Sequence, residues 1–119
     1  MAIYTPATPF GQARLKLTCI RWDEENAECV QMDFNGHSVT RRLDNNMING
    51  TKLLNVTGMT RGRRDGILKN EKERVVVKAG AMSLKGVWIP FERAVKLARA
   101  EGIFEKLMPM FADDPVKYL

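Results

Sequence analysis

A basic stretch, MTRGRRDGILKNEK at residues 59–72, holds the side chains best suited to a defined chemistry. Its first eleven residues contain four arginines and lysines together with two glycines. Arginine and lysine bind phosphate oxygens through charge-assisted hydrogen bonds, and glycine allows another molecule to approach the backbone closely. These residue types at this spacing suit contacts to a polyanion.

Acid–base, nucleophilic and metal chemistry have little support in the rest of the chain. The single histidine, His37, has no evident nucleophile partner, and no carboxylate pair is placed so that its pKa values would be pushed apart. One histidine with Cys19 and Cys29 does not supply a four-ligand zinc site. We therefore predict that the chain is not an enzyme and has no metal, cofactor or small-molecule substrate. The two cysteines are expected to be buried free thiols rather than a disulfide.

Positive charge is concentrated in the middle of the chain. Residues 41–85 carry eleven basic and four acidic side chains, a net charge of +7, whereas the remaining residues have a net charge of −2. This distribution favours a polyanion-binding face on a nearly neutral body, with an ordinary solvated surface as the alternative. No apolar run is long enough to span a membrane.

The elements that must position these charges begin with an antiparallel meander. Alternating apolar residues predict strands at 14–22, 27–34 and 37–43. Asn35-Gly36 is a strong tight-turn pair between the second and third strands. Leu15, Leu17 and Cys19 are expected to share one face, and Trp22 and Trp88 are expected in the core.

A pair of short helices should follow the meander. Asn49 suits the N-cap of the first helix and Gly58 the position just after its C-terminus. A hairpin turn at Asn49-Gly50 is the competing interpretation. Thr60 should cap a second helix that begins almost at once, which makes the two helices a helix-turn-helix-like unit.

A helical wheel separates the side chains of the second helix by direction. Ile67, Leu68 and Arg64 fall on the side that faces the body, so Arg64 is expected to make a structural ion pair or hydrogen bond first and a phosphate contact second. Arg61 and Arg63 lie in the first turn and are expected to reach outward.

Gly62, Gly66 and Lys69 fall on the opposite side of this helix. Each glycine costs about 1 kcal/mol in a helix interior, so retaining two of them suggests that something approaches closely. Either a nucleic-acid backbone or the preceding helix could be that neighbour, and the sequence leaves both open.

A hairpin and two further helices complete the pattern. Strands at 73–80 and 86–90 flank a flexible tip, where Lys78 and Lys85 suit phosphate contacts and Met82 and Ser83 could enter a minor groove. An exposed loop with ordinary charges is the alternative. A helix is predicted at 90–102 and a short one at 103–108, with Phe104, Leu107 and Met108 packing on the core.

The predicted fold class is α+β. It consists of a small antiparallel sheet with a winged helix-turn-helix-like core and two C-terminal packing helices. The expected organisation is a flexible N-terminal lead at 1–12, one domain at 13–112 and a C-terminal tail at 113–119.

Three long, gapless runs carry a family resemblance: DNNMINGTKLLNV, MTRGRRDGILK and LKGVWIPFERA. Over about residues 14–111 the chain resembles the APSES domain of fungal transcription factors, and it is most similar to the StuA-type branch of developmental regulators, which is related to KilA-N-like folds. The resemblance implies a nuclear, sequence-specific domain that binds double-stranded DNA, with CGCG-type or E-box-like targets. Other transcription regulators are further expected partners.

The resemblance also implies which residues contact DNA. The family's helix-pair positions correspond to Lys52, Thr60, Arg61, Arg63, Arg64 and Lys69, and its wing positions to Lys78 and Lys85. The StuA-type pattern has histidine where this chain has Val75 and Ser83, and proline where it has Ala81, so this wing tip is smaller and less polar. A fold used as a nuclear protein-interaction module is the alternative function. The complete expected DNA-binding set is Lys52, Thr60, Arg61, Gly62, Arg63, Arg64, Lys69, Lys78, Met82, Ser83 and Lys85.

Overall fold

A computed structural model describes residues 16–119. The predicted lead at 1–12 and Leu15 of the first predicted strand lie outside the described residues. The strands are β1 (Thr18–Trp22), β2 (Ala27–Phe34), β3 (His37–Arg42), β4 (Ile48–Asn49), β5 (Val75–Val77) and β6 (Gly86–Ile89). The α-helices are α1 (Gly50–Asn55), α2 (Arg61–Leu68) and α3 (Phe91–Ala100). Short 3-10 segments occur at Asp23–Glu25, Met82–Leu84, Glu105–Phe111 and Pro115–Tyr118.

All six strands form one antiparallel sheet in the order β1-β2-β3-β4-β6-β5. Residues of alternate parity along a strand point to opposite faces. One face packs against the helices through a large cluster that includes Met32, Ile48 and Ile89. The other face carries a smaller cluster around Trp22 and Trp88, whose ring centroids lie 5.0 Å apart. The prediction that both tryptophans lie in the core is confirmed.

Strand β4 is only two residues long, but it joins the meander to the rest of the sheet. Ile48 pairs with Arg41 of β3 on one side and with Ile89 of β6 on the other. Two residues are too few to give an alternating pattern, so the sequence did not predict this strand. The competing hairpin turn at Asn49-Gly50 is wrong, because α1 begins at Gly50.

The expectation of two buried thiols is half wrong. Cys29 is fully buried, but Cys19 is exposed. Cys19 pairs with Val30, and Cys29 pairs with Ile20, so the thiols point to opposite faces of the sheet. Both cysteines are free, and burial raises the pKa of the Cys29 thiol to about 11.

The C-terminal part follows the prediction for α3 but departs from it afterwards. The last predicted helix is a 3-10 segment, Glu105–Phe111, which continues through Pro109 and has non-helical angles at Leu107. This change of direction leaves Met108 46% exposed and buries Met110 instead, so the core assignment of Met108 is wrong. Leu107 is buried and Phe104 packs against the core, as predicted.

No α-helix in the described part, residues 16–119, is long and apolar enough to cross a membrane. Over the same residues, no group of three or more histidine, cysteine or acidic side chains could hold a metal ion.

Candidate nucleic-acid interface

Asn49 connects the first helix to the hairpin that follows the helix pair. Its side-chain Oδ1 accepts a hydrogen bond from the backbone N–H of Lys52 at 3.2 Å, which makes it the N-cap of α1. Its Nδ2 donates to the carbonyl oxygens of Ser83 at 3.2 Å and Lys85 at 2.9 Å. Asn49 is fully buried. The sequence identified its role as a cap but not its bonds to the hairpin, which lies 34 to 36 residues further on.

The helix pair has the predicted turn between its members. Gly58 has φ +79°, which is the left-handed conformation that glycine adopts easily. The Oγ1 atom of Thr60 accepts a hydrogen bond from the backbone N–H of Arg63 at 3.2 Å, so Thr60 is the N-cap of α2. Leu68 is buried and Ile67 packs against the core, as the wheel predicted.

Arg64 points toward the body of the domain. Its side chain is only 16% exposed. Its Nη1 donates to Oδ1 of Asn55 in α1 at 2.9 Å, and its Nε donates to Oδ1 of Asp65 at 2.9 Å. This placement confirms the predicted inward direction and joins the two helices through a charge-assisted hydrogen bond.

Arg61 and Arg63 face solvent to different degrees. The Arg61 side chain is 86% exposed, and its Nε lies 4.0 Å from the Asp65 carboxylate. Arg63 is 55% exposed and donates two hydrogen bonds to Glu101, at 3.2 Å and 2.9 Å. Glu101 follows the last turn of α3, so a pattern within residues 60–71 does not reveal it. Arg61 therefore reaches outward with only a long, exposed ion pair to Asp65, whereas Arg63 is held by two hydrogen bonds to Glu101.

Among residues 16–119, nothing packs against the open side of the two glycines of α2. A Cβ atom built on Gly62 or Gly66 would have no other group within 4 Å, apart from its neighbours along the helix. Tight packing on the preceding helix is therefore excluded as the reason for these glycines. Lys69 lies exposed at the end of the same helix.

The hairpin of β5 and β6 with its connecting segment, residues 75–89, is called the wing below. Its tip is the 3-10 turn Met82–Leu84 rather than a flexible loop. Leu84 is buried, and its carbonyl oxygen accepts a hydrogen bond from Nε1 of Trp88 at 2.9 Å. Met82 at the same tip is 69% exposed. The tip is thus a hydrogen-bonded 3-10 turn that presents one apolar side chain.

Two further contacts hold the wing against α1. The backbone N–H of Val87 donates to Oγ1 of Thr51 at 2.9 Å. Gly86 has φ +146°, and an added Cβ would collide with Asn49 and Thr51. Lys78 is exposed and Lys85 is partly exposed, on either side of the tip. The helix pair and the basic wing therefore form one connected surface.

Not all eleven basic residues of 41–85 belong to that surface. Arg41 is 3% exposed, and burial lowers its pKa. Its guanidinium donates to the carbonyl oxygens of Met110 and Ala112. Arg42 contacts Trp22 on the other face of the sheet and binds Asp44 at 2.6 Å, which raises the pKa of Arg42. The net charge of the segment therefore overstates the free positive charge on the interface.

Comparison with known proteins identifies the family. A model of the KilA-N domain matches residues 32–117. Protein SOK2 of Saccharomyces cerevisiae is 57% identical over 110 residues, which are 92% of this chain and 14% of that protein. Enhanced filamentous growth protein 1 of Candida albicans is 61% identical over 101 residues, 85% of this chain and 18% of that protein. StuA of Phaeosphaeria nodorum is 61% identical over 99 residues, 83% of this chain and 15% of that protein.

Two solved structures share the fold. The structure of a DNA complex of PCG2 has a TM-score of 0.72 and 27% identity, and the match covers 82% of this chain and 88% of that chain. Mbp1 from Saccharomyces cerevisiae has a TM-score of 0.72 and 21% identity, with 81% of this chain and 99% of that chain covered. These likenesses confirm the predicted α+β fold, and the relatives confirm the resemblance drawn from the sequence. The chain belongs to the KilA-N/APSES family, among the domains of StuA and related fungal regulators.

Proposed function

We propose that this chain is the double-stranded DNA-binding domain of a fungal transcription regulator and acts in the nucleus. The observation that carries the proposal is the fold shared with PCG2, whose solved structure is a DNA complex. The chain spans 14% to 18% of the three relatives named above, so the proposal concerns this domain.

Phosphate contacts come from the free cations of the connected surface. The exposed side chains of Arg61, Lys69 and Lys78 can reach a DNA backbone without breaking a close ion pair. Lys52 and Lys85 are partly exposed and lie where α1 meets the wing. Contacts of this kind set the register of the domain on the duplex but do not read its sequence.

The open side of α2 supports a close approach of the backbone. Gly62 has no neighbour within 4 Å of an added Cβ, and Thr60 caps the same helix. Backbone N–H groups at a capped helix start favour a phosphate group. Arg63 reaches DNA only if it is shared with Glu101 or released from it. Arg64 acts mainly by holding the two helices together.

The wing tip supplies the contacts to the grooves. Met82 is 69% exposed on a turn that Leu84 and Trp88 fix in place, and apolar side chains of this kind insert between base steps. Ser83, beside it, offers a hydroxyl group for a base edge or sugar. CGCG-type or E-box-like duplexes are the expected targets, because the family resemblance implies them.

Competition between duplexes tests the proposal. We expect the domain to prefer a CGCG-containing or E-box-containing duplex over a scrambled duplex of the same length at physiological ionic strength. The measurement is the dissociation constant from fluorescence anisotropy with each competitor. Equal, weak and salt-sensitive affinity for all three duplexes would contradict sequence-specific binding and would favour a protein-interaction module.

A further inference from the structure

A cleft of about 240 Å³ lies between the β2–β3 turn, α1 and the wing tip. It joins three elements that are distant in sequence, and the DNA-binding set proposed above includes residues from only two of them. The residues that line the cleft are Gly36, His37, Ser38, Lys52, Met82 and Ser83.

The walls of the cleft are fixed by local backbone geometry. Asn35 and Gly36 have φ of +52° and +78°, so the chain reverses within two residues and β3 begins at His37. An added Cβ on Gly36 would meet nothing within 4 Å, so the β2–β3 turn leaves its side of the cleft open. The wing tip is held on the opposite side because Asn49 donates to the carbonyl oxygen of Ser83.

The groups inside the cleft suit an anion. Lys52 brings a positive charge, His37 brings a ring N–H, and Ser83 brings a hydroxyl group. Ser38 is already committed, since its hydroxyl donates to Oδ1 of Asp33 at 2.6 Å. None of the six lining residues is acidic. A tetrahedral oxyanion matches this donor set, because it accepts hydrogen bonds from several directions.

We infer that this cleft takes a backbone phosphate of bound DNA, with Lys52 and His37 as its two principal donors. The inference rests on the proposed function and adds the β2–β3 turn as a third contact element. Met82 lines the same cleft, so a phosphate here would flank the groove that Met82 enters. Its position next to the wing tip favours DNA over a free anion.

The chain contains a single histidine, which makes the inference testable through pH. A phosphate that contacts the imidazole favours the protonated ring, because opposite charges attract. Binding then takes up protons, and affinity rises as pH falls. Two charged groups adjoin His37 in the described elements around the cleft: Lys52 from α1, and Asp33 from β2 through Ser38. The tip residues Met82 and Ser83 add no charge.

The experiment compares wild type with His37→Gln, which keeps hydrogen bonding but does not titrate. For wild type we expect about fivefold tighter duplex binding at about pH 6 than at about pH 8. For His37→Gln we expect most of this dependence to disappear. Any pH dependence of affinity that comes from the α-amino group should be the same in both proteins, which makes it the internal control. His37→Asn is the second variant if glutamine lowers the melting temperature.

Four outcomes are decisive. Wild-type affinity that does not change with pH, or a pH dependence that His37→Gln retains, overturns the inference while leaving DNA binding intact. A wild-type domain that binds no duplex at any pH contradicts the proposed function itself. Inorganic phosphate, added to the free domain at constant ionic strength, tests for a free-anion site. A saturable shift of the His37 proton resonances without DNA would overturn the assignment to the DNA backbone.

Discussion

Gly62 and Gly66 leave one side of α2 bare of side chains over about one helical turn. Glycine costs about 1 kcal/mol relative to alanine in a helix interior, and no contact within the described part of the chain offsets that cost at these positions. The glycines therefore serve to let another molecule approach the backbone of α2. In the proposed function that molecule is DNA.

Alanine at these glycines should act in opposite directions on folding and on binding. Gly62→Ala and Gly66→Ala should each raise the free energy of unfolding by about 0.5–1 kcal/mol, because alanine is the better helix former and the added Cβ meets nothing. Both should also weaken duplex binding, because the added methyl group stands where the DNA backbone would approach the helix. Urea unfolding and anisotropy measure the two quantities on the same protein.

Gly36→Ala is not a suitable control, because its φ of +78° would strain alanine. Ala100→Gly makes the opposite exchange at an exposed position in the last turn of α3, outside the proposed DNA-binding set. It should lower stability and leave affinity unchanged. Unchanged affinity in both α2 variants would show that DNA does not approach this side of the helix.

Arg61 and Arg64 lie only three positions apart, but alanine substitution should affect stability at Arg64 and DNA affinity at Arg61. Arg64→Ala removes the bond to Asn55 from a side chain that is 16% exposed, so unfolding should become easier by roughly 1–2 kcal/mol and binding should weaken as a consequence. Arg61→Ala removes a side chain that is 86% exposed and should change stability by less than about 0.5 kcal/mol. Arg61→Ala should therefore weaken duplex binding without changing stability. Thermal melting beside anisotropy separates the two, and a destabilised Arg61→Ala protein would contradict this division.

At the scale of elements, the interface depends on how α1 and the wing are joined. Asn49 caps the helix with one side-chain atom and binds two wing carbonyls with another. A single fully buried amide thus fixes the position of the wing relative to α1. It is a positioning residue rather than a contact.

Asn49→Ala should lower the free energy of unfolding by roughly 2–4 kcal/mol, because it removes a helix cap and leaves two partly buried carbonyl groups without a donor. The melting temperature and duplex affinity should both fall. Asn45→Ala is the matched control, since Asn45 is exposed between β3 and β4 and accepts a hydrogen bond from the backbone N–H of Met47. A wild-type melting temperature for Asn49→Ala would show that the wing is positioned by other contacts.

The elements that the sequence predicted well have strong local signals. The meander has alternating strands and the Asn35-Gly36 turn, and the two helices have Asn49 and Thr60 as caps, so short-range physics decides their boundaries. The elements that it missed depend on distant partners. Strand β4 exists because β3 and β6 lie on either side of it, and the inward turn of Met110 depends on packing around a kinked 3-10 segment.

The same division holds for the candidate site. The direction of Arg64 follows from helical periodicity and was predicted, whereas the Glu101 partner of Arg63 comes from another helix and could not be. Periodicity placed Gly62 and Gly66 together, but only the packing of the whole domain shows that nothing covers them.

At the scale of the whole molecule, the distribution of charge matters more than its sum. The chain has a formal net charge of +5, yet Arg41 is buried and Arg42 is paired on the far face. Relatives of the chain include a transcriptional regulator, in line with the prediction that the chain is not an enzyme. What the fold leaves exposed or partly exposed is a set of cations on α1, α2 and the wing: Lys52, Arg61, Lys69, Lys78 and Lys85.

The number of these cations predicts how DNA affinity depends on salt. Each neutralised phosphate releases counterions, so the logarithm of affinity should fall with the logarithm of salt concentration at a slope of about −4 to −5 for about five phosphate contacts. Arg61→Gln should make the slope shallower by about 1. Arg21→Gln removes the same charge from edge strand β1, at the opposite edge of the sheet from the wing, and should leave the slope unchanged. Equal changes in both variants would mean that general positive charge, rather than this surface, attracts the DNA.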